Sequence, residues 1–357
     1  MKYLMNKHNV KPFLFLALMT VAISMACMTA QNLVFGTPTP VATASAAPVP
    51  LTATVTTIPT VSWTPVACQD ETCLNSCLDR INQALATNPL KPVEGNYAGA
   101  NANFNLVIYK IKDGKIIEPN VVWVPSEYKV YQQDTAAQQR VWDYYTALFP
   151  SSQIKWLSEY VVYTDGPGDI LAWVDRTYDD STKWRLGVDI LDSADPVYLT
   201  ETLVHETGHL ITLNPDQIPM DQNFIYTPYQ DSVICKQFMT SEGCSKADSY
   251  INLFYQKFWK AIYNDWLRTV YKSDAQTDEE IQQVVYQFYA HHPGEFVSEY
   301  AATNIKEDLA ETFTNFVLHP KPTHNYIADR KVNFFYGFSD MVALRQQVIQ
   351  AMCSYAH

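Results

Sequence analysis

Residues 197–212 predict a helix that carries two histidines on one face. Asp195 and Pro196 precede the helix and favour its start, as an N-cap and a first helical residue. His205 and His209 are four positions apart, so their side chains lie one turn apart on the same face. Two imidazoles in this arrangement can bind one tetrahedral metal ion, and further ligands must then come from elsewhere in the chain.

Glu206 completes the pattern H-E-x-x-H. In zinc peptidases the Glu of this pattern takes a proton from the attacking water and passes it to the leaving amine. With 8 His in the chain, a chance occurrence is expected at about the one-in-a-hundred level. Gly208 is disfavoured inside a helix by roughly 1 kcal/mol relative to Ala, so a reason of packing or access is expected for it. The pattern therefore predicts one Zn²⁺ ion with Glu206 as general base.

A catalytic zinc needs three protein ligands and an open position. The extended pattern H-E-x-x-H-x-x-G-x-x-H is absent, because Asn214-Pro215 follows the helix. The third ligand must come from another part of the chain. The candidates are the acids of residues 296–313, His291, His292, His319, His324, Asp189 and Asp195.

Residues 296–313 read FVSEYAATNIKEDLAETF and predict a helix from residue 304 onwards. The stretch carries four acids: Glu299, Glu307, Asp308 and Glu311. Asn304 followed by Glu307 is also typical of a capping box, in which the Glu side chain binds back to the cap. A Glu that does so cannot bind a metal, so the two interpretations of Glu307 exclude each other.

Residues 300–313 resemble the second signature of the anthrax lethal factor and Pro-Pro endopeptidase group. These proteins are gluzincins, zinc peptidases with two His and one Glu as ligands. In that group a Tyr precedes the ligand Glu by seven residues, and an acid follows it by four. The pattern matches Tyr300, Glu307 and Glu311.

The resemblance implies a role for each matched residue. Glu307 would be the third ligand, and Tyr300 would donate a hydrogen bond to the oxyanion that forms during cleavage. Glu311 would accept a hydrogen bond from a ligand His. Glu299 and Asp308 match no position of the signature and are expected to be ordinary surface acids.

The resemblance covers only the H-E-x-x-H residues and about residues 298–316. Residues 210–297 form an insert that is longer than expected for that group, and it is a candidate wall of the substrate cleft. The proline preference of one relative is therefore not transferred. Within the insert, the run His291-His292-Pro293-Gly294 is typical of a loop turn, with a mobile rim or second metal site as the alternatives.

Strands precede helices along the chain, which indicates an α+β fold. The resemblance implies a zincin-like metallopeptidase domain, with a small mixed sheet, the active-site helix, and then a mainly helical C-terminal part. Strands are predicted at 104–112, 116–124, 160–163, 170–175 and 184–191. Helices are predicted at 71–86, 135–148, 197–212, 246–271, 278–290, 304–318 and 340–353.

The strand at 184–191 lies just before the active-site helix. In zincins an antiparallel edge strand above that helix pairs with extended substrate. Residues 184–191 are therefore either that edge strand or a central core strand.

Residues 1–26 predict a signal peptide, with three lysines before an apolar run that is too short for a comfortable membrane span. The end of this segment resembles a bacterial lipoprotein signal, which implies that Cys27 is lipidated and becomes the N-terminus. Cleavage nearby, for instance after Ala30, and secretion are the alternative. Residues 27–66 are rich in Thr and Pro and predict an extended tether. A small region, 67–130, is then predicted to pack on a catalytic domain, 131–357.

Cysteine usage fits export. The chain has 7 Cys, and lipidation of Cys27 would leave an even number for disulfides. Cys235 and Cys244 bracket a short loop and are predicted to pair. The other four would join the N-terminal cluster to itself and to Cys353; they are Cys68, Cys73, Cys77 and Cys353. The spacing of that cluster favours disulfides over zinc.

The formal net charge is -12, which argues against a nucleic-acid partner. We expect an exported zinc endopeptidase that is held at the cell surface by an N-terminal lipid anchor in the membrane and that cleaves protein or peptide substrates. The alternative is a catalytically inactive, zincin-fold surface lipoprotein that only binds a partner. Glu206 and Tyr300 favour the enzyme, because a structural metal site needs neither. The oligomeric state stays open.

Overall fold

The computed structural model describes residues 72–73, 75–79, 104–166, 170–220, 226–230 and 233–355. The predicted signal peptide, Cys27, the tether and Cys68 lie outside these residues. Residues 72–73 and 75–79 are helical, and the rest of the helix predicted at 71–86 also lies outside the described ranges.

A five-stranded mixed sheet forms one layer, with the strand order β2-β1-β3-β5-β4. The strands are β1 (Phe104–Lys112), β2 (Lys115–Val121), β3 (Leu157–Thr164), β4 (Ala172–Arg176) and β5 (Trp184–Asp189). β3 and β5 are parallel, and the other neighbours are antiparallel. The β1–β2 turn is made by Asp113 and Gly114, both with positive φ, as a two-residue hairpin requires.

Helices cover the rest of the described chain, so the α+β class is confirmed. They are α1 (Lys129–Gln133), α2 (Thr135–Leu148), α3 (Pro196–Leu213), α4 (Tyr250–Phe254), α5 (Tyr263–Trp266), α6 (Asp278–His291), α7 (Ile305–Leu318), α8 (Ile327–Phe335) and α9 (Ser339–Tyr355). Short 3-10 turns occur at Ser126–Tyr128 and Tyr300–Thr303. A two-stranded hairpin, β6 (Met239–Thr240) and β7 (Gly243–Cys244), precedes α4. Among the described residues, no helix has both the length and the apolar character needed to cross a membrane.

The prediction of one continuous helix at 246–271 is wrong. Ser249 caps α4, and two π-helical segments, Tyr255–Trp259 and Leu267–Tyr271, flank a turn and α5. The apolar residues of this stretch repeat every four positions: Phe254, Phe258, Ile262 and Trp266 are all buried. A four-residue repeat exceeds the 3.6 residues of an α-helical turn. The wider i→i+5 turns keep these side chains on the core side.

The candidate edge strand at 184–191 is a central strand, because β5 lies between β3 and β4. Five of its six residues are buried, which is typical of a strand with neighbours on both sides. The edge strand on this side of the sheet is β4, which packs against α3.

α3 is buried along nearly its whole length, with β4 on one side and α7 on another. Gly208 allows the close approach of α7. A Cβ at Gly208 would lie 3.3 Å from the Cα of Ala310 and 3.1 Å from a ring carbon of Phe313. The reason for a glycine inside this helix is therefore packing.

Two disulfide bonds are defined among the described residues, one within a short loop and one between distant parts of the chain. Cys235 pairs with Cys244 as predicted, and Cys353 pairs with Cys77 of the N-terminal cluster. Cys73 is also disulfide-bonded. Disulfides persist in oxidising compartments, so these bonds indicate an extracellular environment.

The expectation that Asp308 is an ordinary surface acid is wrong. Asp308 is fully buried, and one of its carboxylate oxygens lies 2.6 Å from the Nζ of Lys331 and 2.6 Å from the indole nitrogen of Trp259. The Lys331 Nζ also lies 3.9 Å from the ring centre of Phe296. α8 and the insert cover the face of α7 that carries Asp308. The Asp308 carboxylate therefore faces the interior and needs a cation beside it.

We expect Lys331→Met to lower the free energy of unfolding by about 3–5 kcal/mol, because it leaves a buried carboxylate without its cation. Denaturant unfolding measures the change. Lys331→Met combined with Asp308→Asn should regain part of the loss. The control is Lys155→Met, which removes an exposed pair with Asp216 and should change stability by less than about 1 kcal/mol. Equal effects of the two lysine variants would contradict the prediction.

Candidate metal centre

Two capped helices bring the candidate ligands together. The Asp195 side chain caps α3, which carries His205 and His209, by accepting hydrogen bonds from two backbone N–H groups. Asn304 caps α7 in the same way, accepting from the N–H groups of Lys306 and Glu307. The Glu307 side chain points at the histidines, so the full capping box does not form.

His205, His209 and Glu307 form a buried group that could bind a metal ion. One carboxylate oxygen of Glu307 lies 3.2 Å from the Nε2 atoms of both histidines. Ligands about 2.0–2.2 Å from a tetrahedral ion stand about 3.3–3.6 Å apart, so a spacing of 3.2 Å is close to that around one small ion. The three side chains are 1–4% exposed. The donor set of two imidazoles and one carboxylate is typical of catalytic zinc sites.

Glu311 contacts His205 at Nδ1, the ring nitrogen that does not face Glu307. Its Oε1 lies 2.8 Å from the Nδ1 of His205. Its other oxygen accepts a hydrogen bond of 2.6 Å from the hydroxyl of Ser298. No role was predicted for Ser298 from the sequence. Its position two residues before Tyr300 was the only sign that it could lie near the candidate site.

Glu206 lies on the same helix and is 1% exposed. Its Oε2 accepts a hydrogen bond of 3.0 Å from the backbone N–H of Val174 in β4. Its Oε1 is buried and has no hydrogen-bond partner within the described part of the chain. Burial raises the pKa of Glu206 to about 7, against the opposing effect of the two nearby histidines. A carboxyl group with this pKa exchanges protons readily near neutral pH.

Tyr300 begins the 3-10 turn that leads into α7. Its ring centre lies 6.0 Å from that of His205, so the phenol borders the group of candidate ligands. Thr303, the last residue of the turn, is held by Trp266, whose indole N–H donates to the Thr303 carbonyl oxygen at 2.8 Å.

The insert supports the ligand helix. Trp259 and Trp266, both from the stretch with the π-helical segments, bind Asp308 and Thr303 on either side of Glu307. On the opposite side of the insert, the β6–β7 turn reaches Lys306, whose Nζ lies 3.0 Å from a carboxylate oxygen of Glu242.

The other candidate ligands lie in different surroundings. Asp195 is a helix cap, and Asp189 groups with Asp165 and Asp192. The two ring nitrogens of His292 face different carboxylates, at 3.0 Å and 3.2 Å, so they do not converge on one ion. The interpretation of residues 291–294 as a turn therefore fits better than a second metal site. His291, His319, His324 and Glu299 are likewise outside the buried group.

No protein-family model, curated protein or solved structure matches this chain. The candidate site is therefore interpreted from its own geometry.

We expect Glu307→Ala to lower the affinity for Zn²⁺ by more than about 100-fold, since losing a ligand exceeds the effect of losing a residue that only orients one. Competition with a chromogenic chelator measures the affinity. Glu299→Ala is the matched control from the same segment and should leave the affinity unchanged. Equal Zn²⁺ retention in both variants would remove Glu307 from the ligand set.

We also expect Zn²⁺ binding to release a proton at pH 7. Burial alone would lower the pKa of His205, but hydrogen bonds with Glu307 and Glu311 outweigh burial and raise its pKa well above the usual value. The metal-free His205 therefore holds its proton to a higher pH than an ordinary imidazole. Its proton stabilises the metal-free fold at low pH, and this stabilisation is lost as the pH rises through the raised pKa. The affinity for Zn²⁺ should accordingly increase with pH until that pKa is passed.

Calorimetry in two buffers with different ionisation enthalpies counts the released proton. Glu311→Gln removes one of the two carboxylates and should reduce the count at pH 7. A heat of binding that is the same in both buffers would show that no proton leaves.

Proposed function

We propose that this chain is a zinc metalloendopeptidase of the gluzincin type, built on a zincin-like fold. The observation that carries the proposal is the buried convergence of His205, His209 and Glu307 beside a second carboxylate, Glu206, whose Oε1 lacks a partner among the described residues. A site that only held a structural metal would need no such carboxylate. A buried unsatisfied oxygen is costly, so a role in the reaction is a reason for it.

His205, His209 and Glu307 would hold the zinc. When bound, the zinc polarises the scissile carbonyl and lowers the pKa of an attacking water to around 7. Glu206 accepts a proton from that water and then delivers it to the leaving amine. Burial raises the pKa of Glu206 in the metal-free protein, so this carboxyl group takes up a proton more readily than an exposed Glu.

Tyr300 would supply a hydrogen-bond donor for the oxyanion, since its ring centre lies 6.0 Å from that of His205. A donor directed at a developing oxyanion contributes on the order of 3 kcal/mol to the barrier reduction. Hydrogen bonds to Ser298 and from Trp266 hold the backbone of the 3-10 turn that carries Tyr300, at Ala301 and at Thr303.

β4 is the candidate substrate-binding strand, in place of the strand at 184–191. It is the sheet edge next to α3, and an extended peptide can add to such an edge through main-chain hydrogen bonds. The N–H of Val174 points from this strand to Glu206. A peptide that pairs with β4 would therefore run past the proposed general base.

The extracellular setting that the disulfides indicate fits the proposed N-terminal anchor. We place the enzyme at the cell surface, with Cys27 lipidated and residues 27–66 as the tether. Secretion after ordinary signal cleavage is the other outcome, and mass spectrometry of the mature N-terminus distinguishes them.

We expect Glu206→Gln to retain one Zn²⁺ and to lose cleavage of a diverse peptide library by about 10²–10⁴-fold, because it removes the proton acceptor and leaves the ligands in place. Metal analysis and mass spectrometry of the cleaved library measure the two quantities. Glu279→Gln, an exposed acid in the first turn of α6, is the control and should cleave like the wild type.

A wild-type protein that binds one Zn²⁺ but cleaves no peptide that Glu206→Gln spares would overturn the peptidase proposal. A surface lipoprotein that binds its partner without catalysis would then be the better description.

A further inference from the structure

A chain of three hydrogen bonds runs from a candidate metal ligand to the turn that carries Tyr300. The Nδ1 of His205 lies 2.8 Å from Glu311 Oε1. The Ser298 hydroxyl donates to Glu311 Oε2 at 2.6 Å, and the Ala301 N–H donates to the same hydroxyl oxygen at 3.1 Å. We propose that Ser298 is a positioning residue, which couples the occupancy of the metal site to the order of the Tyr300–Thr303 turn.

The direction of each hydrogen bond is determined by the chemistry of the groups. When Nε2 of His205 binds a metal, Nδ1 carries the proton and the Nδ1–H group donates a hydrogen bond to Glu311. The Ser298 hydroxyl donates to the other oxygen of the Glu311 side chain. The hydroxyl oxygen then has lone pairs left for the Ala301 N–H. Ser and Thr both donate and accept through one short-chain hydroxyl, which Ala cannot do.

The Ala301 amide needs this partner. Ala301 is fully buried, and a buried N–H group without an acceptor is destabilising. Ala301 directly follows Tyr300, so the bond to Ser298 determines how the backbone of Tyr300 enters the site. The next amide, of Ala302, is held within the turn by the Glu299 carbonyl oxygen.

His205 and Ser298 both contact the Glu311 carboxylate. Each of its two oxygens serves one donor, so a rotation that breaks the contact with His205 also disturbs the contact with Ser298. Binding of a metal holds the His205 ring in place, and the chain passes that restraint to Ser298 and the turn. The catalytic use of this coupling rests on the proposed function, whereas the coupling itself can be measured without any turnover.

The test measures two quantities on the full mature chain with Zn²⁺ as the probe. Chelator competition gives the affinity for Zn²⁺, and hydrogen exchange followed by mass spectrometry gives the protection of the peptide that contains Ala301. In the wild type we expect Zn²⁺ to slow exchange in this peptide by about tenfold or more. We expect Ser298→Ala to lower the affinity for Zn²⁺ about tenfold, which is the lower end of the roughly 10–100-fold range for residues that orient a metal ligand. Zn²⁺ should no longer slow exchange in that variant.

Ser298→Thr keeps the hydroxyl and should restore both quantities to within about threefold of the wild type. The matched control is Ser249→Ala. Ser249 also accepts a hydrogen bond from the N–H three residues ahead, that of Asn252, but its hydroxyl donates to a backbone carbonyl instead of a carboxylate. Loss of this cap should leave both the affinity and the Zn²⁺-dependent protection unchanged.

Glu311→Gln keeps the test decisive if Ser298→Ala does not fold. It removes the shared carboxylate and should likewise abolish the Zn²⁺-dependent protection at Ala301. Combining it with Ser298→Ala, where both fold, should lower the affinity no further than Glu311→Gln alone, because the two residues act through one chain.

Wild-type affinity and protection in Ser298→Ala, or retained protection in Glu311→Gln, would overturn the coupling. Activity gives a separate readout, in which Ser298→Ala lowers kcat and leaves KM unchanged. A failed peptidase test together with intact Zn²⁺-dependent protection would refute the proposed function and leave the coupling standing.

Discussion

The close approach of α3 and α7 is the constraint on which the candidate site depends. Two histidines on α3 can meet a carboxylate on α7 only if the two backbones pass within reach of short side chains. Gly208 provides that approach, because any Cβ at this position would press on the backbone of Ala310. The same contact buries the ligand group, so that the opposing charges act in a medium of low polarity.

Local patterns predicted the parts of the fold that depend on neighbouring residues. The cap at Asp195, the i and i+4 histidines and the hairpin at Asp113-Gly114 all follow from backbone geometry within a few residues. No such rule connects His209 to Glu307, so the third ligand rested on a resemblance. The position of the strand at 184–191 was left open between edge and centre, and the burial of Asp308 was predicted wrongly, because both depend on elements distant in the sequence.

The insert has a supporting role that its sequence alone did not indicate. The hydrophobic pattern of residues 246–271 was interpreted as one α-helix, although its spacing of four residues does not match the α-helical period. The π-helical segments match that spacing. Trp259 and Trp266 from this stretch then donate hydrogen bonds to Asp308 and to the Thr303 carbonyl oxygen. Residues 210–297, a candidate cleft wall, thus also hold the helix that carries Glu307.

The bond between Cys77 and Cys353 has a consequence for the integrity of the molecule. It closes a covalent ring over a sequence separation of 276 residues, which contains every strand and nearly every helix described above. A single backbone cut anywhere inside that ring leaves both fragments joined. A protein exposed to foreign proteases outside the cell would therefore stay attached to its N-terminal segment after a nick in any surface loop.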